Sequence, residues 1–344
     1  MNELVNVVLV GFGRAGRIHA ETCQRLSCCR LIAIVETSPD RRRLAAEAFS
    51  GVKVFESLKL ALIETGNDVV VDLCVPAPQN IELCQTAIEH DVCRLMLEKP
   101  LGWQLSAAIE LGEILRGRSA VYQDTYQFSK GVELLRKYVE GERSSVKDLR
   151  IRFLKNRKED SGFARGFYLQ SHPDAWHIEG PHMVAIAESV AGTIISIEEA
   201  HLYDMDADGK SLSGHGGGDA TVRHHGGAQT TMSTDLRSKL NERAVDVFLE
   251  NGVSFHLQLP RSKSSEQVSS IVRKCNGRAV ASFSVEDRPM EQCVSACVEY
   301  FYSSIGNVPT ISRGISINET LQKICAAAGY QVCNNEELCE ALPI

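Results

Sequence analysis

The chain has 344 residues, longer than a single hydrophobic core usually supports, so two domains are expected. Its formal charge of −7 excludes the concentrated basic field that a nucleic-acid partner requires. No apolar run approaches the roughly 20 residues of a spanning helix, and Glu3 stands where a signal peptide carries basic residues, so a cytoplasmic protein without membrane association is expected.

The first third alternates short apolar runs with helical patterns. "NVVLVG" (6–11), "RLIAIVE" (30–36), "VVVDLCV" (69–75) and "CRLMLE" (93–98) are continuous and rich in β-branched residues, as strands buried on both faces are. Helices are predicted between them at 14–26, from Ser38 as N-cap with Pro39 at the first helical position, at 57–65 and at 79–90. This rhythm predicts an α/β Rossmann-type domain, a doubly wound parallel sheet, over residues 1–123.

From 124 to 344 the pattern predicts an α+β domain with a large open antiparallel sheet for substrate binding and oligomerisation. A strand at 149–154 is followed by a long polar loop to about 175 and a helix at 181–190 that ends at Gly192. Strands follow at 194–203, 219–225, 228–235, 244–250 and 253–259, with hairpin turns in "HHGGAQ" and "ENGVS". The patch "SGHGGGD" (213–219) reads as a flexible loop, and helices at 290–304 and 316–328 close the chain.

Gly11, Gly13 and Gly16 form a GxGxxG motif directly after the first strand and at the mouth of a helix. Gly11 permits the tight turn, Gly13 lets a pyrophosphate approach the backbone, and Gly16 allows close packing, with Arg14 and Ala15 in the same turn at the helix N-terminus. Glu36 ends the second strand twenty residues beyond Gly16, where an acid grips the ribose hydroxyls of NAD. NAD is therefore the expected cofactor. NADP is the alternative, because Thr37, Ser38 and the run Arg41, Arg42 and Arg43 follow Glu36 closely. Pro76 and Asn80, after the third run, and Glu98 and Lys99, after the fourth, complete the predicted cofactor set.

Twelve cysteines raise the question of metal. None forms a CxxC pair, and Cys293 with Cys297 has no second pair to complete a tetrahedral site, so no metal is expected.

The block "LEKPLG" (97–102) resembles the signature of the Gfo/Idh/MocA oxidoreductase family, as does the chain plan: GxGxxG with His19, an acid at Glu36, Glu98-Lys99-Pro100, then an open sheet domain. The stretch at 309–329 resembles that family's closing helix. The resemblance implies that Lys99 lies beside nicotinamide and substrate, that Pro100 follows a cis peptide bond, and that His182 is the general acid/base. It also implies a homodimer or homotetramer. Departures fall in the substrate half: Ile178 and Ala185 stand where the family usually has carboxylates, Gln127 in "TYQF" replaces an arginine, and Asn80 replaces a histidine.

Lys99 is expected to act in its own right as a cation at the carboxyl edge of a parallel sheet, stabilising the alkoxide that forms as a hydride leaves a carbinol carbon. In "WHIEGPH" (176–182), His182 is the proton-exchanging candidate and Glu179 a substitute carboxylate; His177 would point the same way as Glu179 only in an extended segment. Lys155, Arg157, Lys158 and Arg165 make the preceding stretch basic, which suits an anionic group on a polyhydroxylated small-molecule substrate or a solvated loop. His215, His224 and His225 read as sheet or surface residues. The expected activity is NAD(P)-dependent hydride transfer to or from a secondary hydroxyl or ketone of a sugar, cyclitol or sugar derivative. The alternatives are a non-catalytic NAD(P)-binding regulator or scaffold and an NAD-dependent glycosidase-type enzyme.

Overall fold

The computed structural model describes residues 4–157, 174–207, 210–261 and 267–330. The chain forms two compact units: Met1–Asp124 with Met290–Asn318, and Thr125–Pro289 with the chain from Glu319 onward.

The first unit is built on β1 (Val5–Val10), β2 (Cys29–Val35), β3 (Lys53–Phe55), β4 (Val70–Leu73), β5 (Arg94–Leu97) and β6 (Ser119–Tyr122). Their order is β3-β2-β1-β4-β5-β6, and every neighbouring pair is parallel. Each crossover carries a helix: α1 (Arg14–Arg25), α2 (Pro39–Ala48), α3 (Leu58–Thr65), α4 (Asn80–Glu89) and α5 (Leu105–Ile114). The four anticipated runs are strands with bounds within two residues of those expected. The edge strands β3 and β6 were not anticipated, because three or four residues are too short to show a periodic run. Helix α2 starts as predicted, with the Ser38 hydroxyl accepting from the Arg41 amide, and Ser57 caps α3 in the same way. Helix α8 (Pro289–Ser303) is assigned to this unit from Met290, with Cys293, Val294, Cys297 and Val298 buried along one face. The start of α9 (Ile311–Ala327) is also in this unit, where Gly314 passes so close to Leu101 and Tyr122 that an added Cβ would lie 2.5 and 2.8 Å from them.

The second unit holds an eight-stranded sheet in the order β14-β13-β12-β11-β7-β10-β9-β8. Its strands are β7 (Val146–Asn156), β8 (Ile194–Ala207), β9 (Lys210–His224), β10 (Gln229–Asp235), β11 (Arg237–Leu249), β12 (Val253–Gln258), β13 (Val268–Cys275) and β14 (Arg278–Glu286). It is mixed rather than wholly antiparallel, since β7 and β10 pair in parallel. The hairpin β13–β14 was not anticipated, although Asn276-Gly277 between two alternating runs is a hairpin signal.

Two further expectations are corrected. The glycine patch is not a loop: β9 runs through it, because Gly216, Gly217 and Gly218 are packed against backbone or aromatic atoms. A Cβ on Gly218 would stand 2.6 Å from the His201 carbonyl and 2.7 Å from Trp176 Nε1, so the strand is glycine-rich for want of space. The helix expected at 181–190 is longer. As α7 (Ala175–Ala191) it starts six residues earlier, where Asp174 caps it by accepting from the His177 amide at 3.0 Å. The polar loop expected before it, with Lys158 and Arg165, falls largely outside the described residues.

Helix α6 (Lys130–Gly141) is fixed to the sheet by a distant carboxylate. Asp287, fully buried, accepts from the Ser129 and Ser269 hydroxyls at 2.6 and 2.7 Å and from the Lys130 and Gly131 amides. This satisfies amides at the helix start that would otherwise lack acceptors.

Candidate active site

In the first unit the ends of β1, β2, β4 and β5 meet where the sheet order reverses, the position at which such folds bind ligands. Gly11 follows β1 with φ of +90°, and a Cβ there would lie 2.4 Å from the Cys74 carbonyl. A Cβ on Gly16 would lie 1.9 Å from the Gly11 carbonyl, so only glycine lets α1 pack so near the turn. At Gly13, which precedes α1, a Cβ would meet nothing within 4 Å, and no side chain caps the helix. The open backbone and uncapped amides fit a pyrophosphate, and Arg14 and Ala15 open the helix beside them.

Glu36 stands at the end of β2, buried, with its carboxylate held on both oxygens. It accepts from the Phe12 and Ser38 amides, each at 2.9 Å, and from the Arg41 guanidinium at 2.9 Å. Burial opposes the charge, but the Arg41 bond and the two amides outweigh it and hold the pKa below the ordinary glutamate value. Arg42 donates to the Glu36 and Thr37 carbonyls, and Arg43 lies beside Asp40 at the surface. Arg41 and Arg42 are thus folded back onto the acid and its strand end, and Arg43 is not.

Lys99 follows β5, and the Lys99-Pro100 peptide is cis, as the resemblance implied. The following turn is pinned from two sides: Asn80 donates to the Leu101 carbonyl at 3.1 Å and Asn318 to the Gly102 carbonyl at 2.6 Å. Asn80 thereby braces the turn that carries Lys99. Pro76 leads from the end of β4 into a short turn of 3-10 helix at 77–79.

Beneath this edge lies a buried polar cluster that sequence reasoning missed apart from His19 and Glu98. His19 Nδ1 is 2.8 Å from Asp72 and 3.0 Å from Cys74 Sγ, and its Nε2 is 3.4 Å from Glu98. Gln123 donates to the other Asp72 oxygen at 2.9 Å, and Glu98 accepts from the Lys99 amide at 3.0 Å. Burial opposes charging His19, but Cys74 and Asp72 outweigh it, so its pKa is raised well above the ordinary 6.5. A raised folded-state pKa gives stability that is fully present below about pH 6.5 and is lost as pH climbs through the folded value. His19→Gln is therefore expected to lose roughly 3–5 kcal/mol near pH 6 by leaving buried carboxylates without their cation, and less at pH 9. Urea unfolding at the two pH values checks this; an equal loss at both would contradict a charged His19.

In the second unit α7 carries both "WHIEGPH" candidates, and helical spacing separates them. Glu179 and His182, three apart, share a face, whereas His177, two from Glu179, points elsewhere. His177 Nδ1 is bound to its own cap, Asp174, at 2.8 Å. Ile178 is buried with Ala175, Met205 and Leu236, so the position of a usual family carboxylate belongs to the hydrophobic core; Ala185 is buried too. His182 lies edge-on to Tyr126, with ring centroids 5.1 Å apart.

Glu179 is not a free carboxylate. It pairs with Lys155 and lies 3.5 Å from Arg157 and 3.8 Å from Arg243. Arg243 donates to the Tyr126 hydroxyl at 2.8 Å and lies over the Phe153 ring. Burial works against the Glu179 charge, yet Lys155, Arg243 and Arg157, with a smaller pull from His182, hold its pKa well below the ordinary value. Lys155 and Arg157 come from the end of β7 and Arg243 from β11, which pairs with it. Arg243 and Tyr126 carried no sequence signal, because only the sheet pairing and the turn before α6 bring them to α7. His224 is a buried sheet residue bound to the Gly192 carbonyl and to Thr230.

Among the described residues, two groups of potential metal ligands, which spacing in the chain could not reveal, lie within 4.8 Å: His19, Asp72 and Cys74, and Asp174, His177 and Cys325. Both are hydrogen-bonded internally.

The sheet order, the glycine turn and the acid at Glu36 together define an NAD(P)-binding Rossmann unit. Residues 5–126 match the model of the Gfo/Idh/MocA family, oxidoreductases with an NAD-binding Rossmann fold. No curated protein matches the chain. Among solved structures, levoglucosan dehydrogenase in complex with NADH and levoglucosan is similar at 16% identity and a TM-score of 0.78, covering 95% of this chain and 98% of that one. The 3-ketoreductase KijD10 from Actinomadura kijaniata, in complex with NADP and TDP-benzene, is similar at 14% identity and a TM-score of 0.81, covering 94% and 98%. An oxidoreductase from Agrobacterium radiobacter, in complex with NAD+, L-tartaric acid and magnesium, is similar at 14% identity and a TM-score of 0.77, covering 95% and 97%. At these identities the likeness is one of fold. Among the described residues no helix is long and apolar enough to cross a membrane.

Proposed function

We propose that the protein exchanges a hydride between NAD and a secondary hydroxyl, or the corresponding ketone, of a sugar, cyclitol or related polyhydroxylated molecule. The observation that carries this reading is Lys99 at the end of β5, on a turn braced by Asn80 and Asn318, in a unit whose glycine turn fits a pyrophosphate. NAD, when bound, supplies the hydride acceptor or donor. Lys99 stabilises negative charge on the substrate oxygen, and His182 gives or takes its proton. Glu179 acts on His182 through charge, from within its ion cluster. Glu36 favours NAD over NADP, since a ribose phosphate would meet a carboxylate to which Arg41 is already committed. That solved relatives of the fold include levoglucosan dehydrogenase and a 3-ketoreductase supports the substrate class. The ten described cysteines are all free thiols, which suits a reducing, cytoplasmic compartment.

A second reading, an NAD(P)-binding regulator, is favoured by the burial of Ile178 in the core where a family carboxylate is usual. One assay separates the two. With NAD+ and then NADP+, a panel of levoglucosan, myo-inositol, D-glucose, D-glucuronate and L-tartrate is followed at 340 nm. The dehydrogenase reading expects NADH formation with at least one compound, about tenfold or more faster than with NADP+. Tight NADH binding with no turnover across the panel would favour the regulator.

A further inference from the structure

Gly16 lets α1 pack close to the glycine turn, and His19, three residues on along the same helix face, comes to rest against the ends of β4 and β5 with no exposed surface. Each ring nitrogen of this buried imidazole meets a carboxylate oxygen: Nδ1 meets Asp72 at 2.8 Å and Nε2 meets Glu98 at 3.4 Å. A carboxylate only accepts, so both nitrogens carry protons and the ring donates in two directions. Burial opposes the charged ring, but Cys74 and Asp72 favour it and prevail.

The two contacts differ in what they hold. Asp72 lies within β4, where strand pairing already fixes it, and its other oxygen takes the Gln123 amide at 2.9 Å. Glu98 follows β5, and its Oε1 has no hydrogen-bond partner among the described residues; nor has His19 Nε2. The ion pair between these two buried atoms is therefore what offsets their loss of water. The second oxygen of Glu98 accepts from the Lys99 amide at 3.0 Å. Glu98 thus stands between the imidazolium and the lysine turn, with one oxygen on each.

The geometry points to His19 as a positioning residue for Lys99: through Glu98 it fixes the backbone from which the lysine acts. This rests on the hydride-transfer reading for the role of the lysine, whereas the hold on the turn is measurable without turnover. A misplacement of about 1 Å at a reacting group costs on the order of 100-fold in rate, so a residue beneath the turn can govern kcat.

Two isosteric replacements separate the contacts. The amide of His19→Asn reaches the Nδ1 position, toward Asp72, and that of His19→Gln the Nε2 position, toward Glu98. Hydrogen exchange of the full chain, followed on peptides covering 97–102 and 5–10, is combined with steady-state kinetics and NADH titration. His19→Asn is expected to speed exchange in 97–102 about tenfold or more while 5–10 is unchanged. It should also lower kcat about 10- to 100-fold with NADH affinity within about threefold of the wild type. His19→Gln, which keeps a donor toward Glu98, should lie within about threefold of the wild type in exchange and kcat even where its stability falls. Glu98→Ala should match His19→Asn, and the double variant should be worse than the poorer single by no more than about threefold, because the two residues act in series. Wild-type exchange over 97–102 in His19→Asn, or equal behaviour of His19→Asn and His19→Gln, overturns the proposal. If His19→Asn does not fold, Glu98→Ala carries the test, and wild-type exchange and kcat in that variant overturn it. Failure of the hydride-transfer reading is distinct: no compound of the panel turns over in the wild type, while the order of exchange among the variants stands.

Discussion

Glu179→Ala is expected to destabilise the protein by roughly 3–5 kcal/mol, because it takes from the buried Lys155 the carboxylate it pairs with, beside Arg157 and Arg243. Double replacement with Lys155→Met should recover about 1–3 kcal/mol of that loss, the coupling expected of groups in direct contact. The pH dependence has a definite sign. The Glu179 pKa is depressed in the folded state, so its contribution is present above the ordinary glutamate value of about 4.3 and is lost as pH falls through the folded value. The wild type should therefore lose stability on acidification below about pH 4 more steeply than Glu179→Ala. Urea unfolding at pH 7 and pH 3 measures both effects; a loss at pH 7 under about 1 kcal/mol would show that the carboxylate is not the counter-charge of the cluster.

Lys99→Met should lower turnover by about 10²- to 10⁴-fold while leaving NADH binding within about threefold of the wild type. Methionine keeps an unbranched stem of similar length, so it removes the ammonium with little change in bulk. The turn itself is held by Asn80 on Leu101, by Asn318 on Gly102 and by Glu98 on the Lys99 amide, none of which involves the lysine side chain. The glycine turn proposed to take the pyrophosphate, at Gly11, Gly13 and Gly16, lies on a different loop. An effect on kcat without a matching effect on cofactor affinity marks a group whose interaction strengthens as charge develops on the reacting oxygen. Equal losses in turnover and NADH affinity would instead mean that Lys99 serves only to hold the cofactor.

The first unit was largely legible in the sequence because its information is local. Continuous apolar runs, a capping serine before Pro39 and glycines at fixed spacing each specify their own neighbourhood, and the strands and helices fall where those signals stand. Glu36 could be placed from spacing alone, since one crossover separates it from the glycine turn. What stayed hidden depends on contacts between distant residues. Asp72 and Gln123 reach His19 from two different strand ends, and the partners of Glu179 come from β7 and β11.

The misplaced start of α7 has a different cause. Gly180-Pro181 reads as a helix beginning, but the Asp174 cap six residues earlier governs, and the proline sits inside the helix. That correction changes the reading of "WHIEGPH": helical spacing puts Glu179 and His182 on one face and sends His177 to its cap. The glycine patch misled for a related reason. Glycine permits a loop, but it also permits a strand to pass close to Trp176, and the sequence does not distinguish the two.

The central claim, that Lys99 and His182 serve hydride transfer, is tested most directly by one single-turnover measurement. Wild type, Lys99→Met and His182→Asn, each saturated with NAD+, are mixed with the best compound of the panel, and the first-turnover rise at 340 nm is recorded. Both variants are expected to bind NADH within about threefold of the wild type and to form it about 100-fold or more slowly. First-turnover rates equal to the wild type in either variant would contradict it.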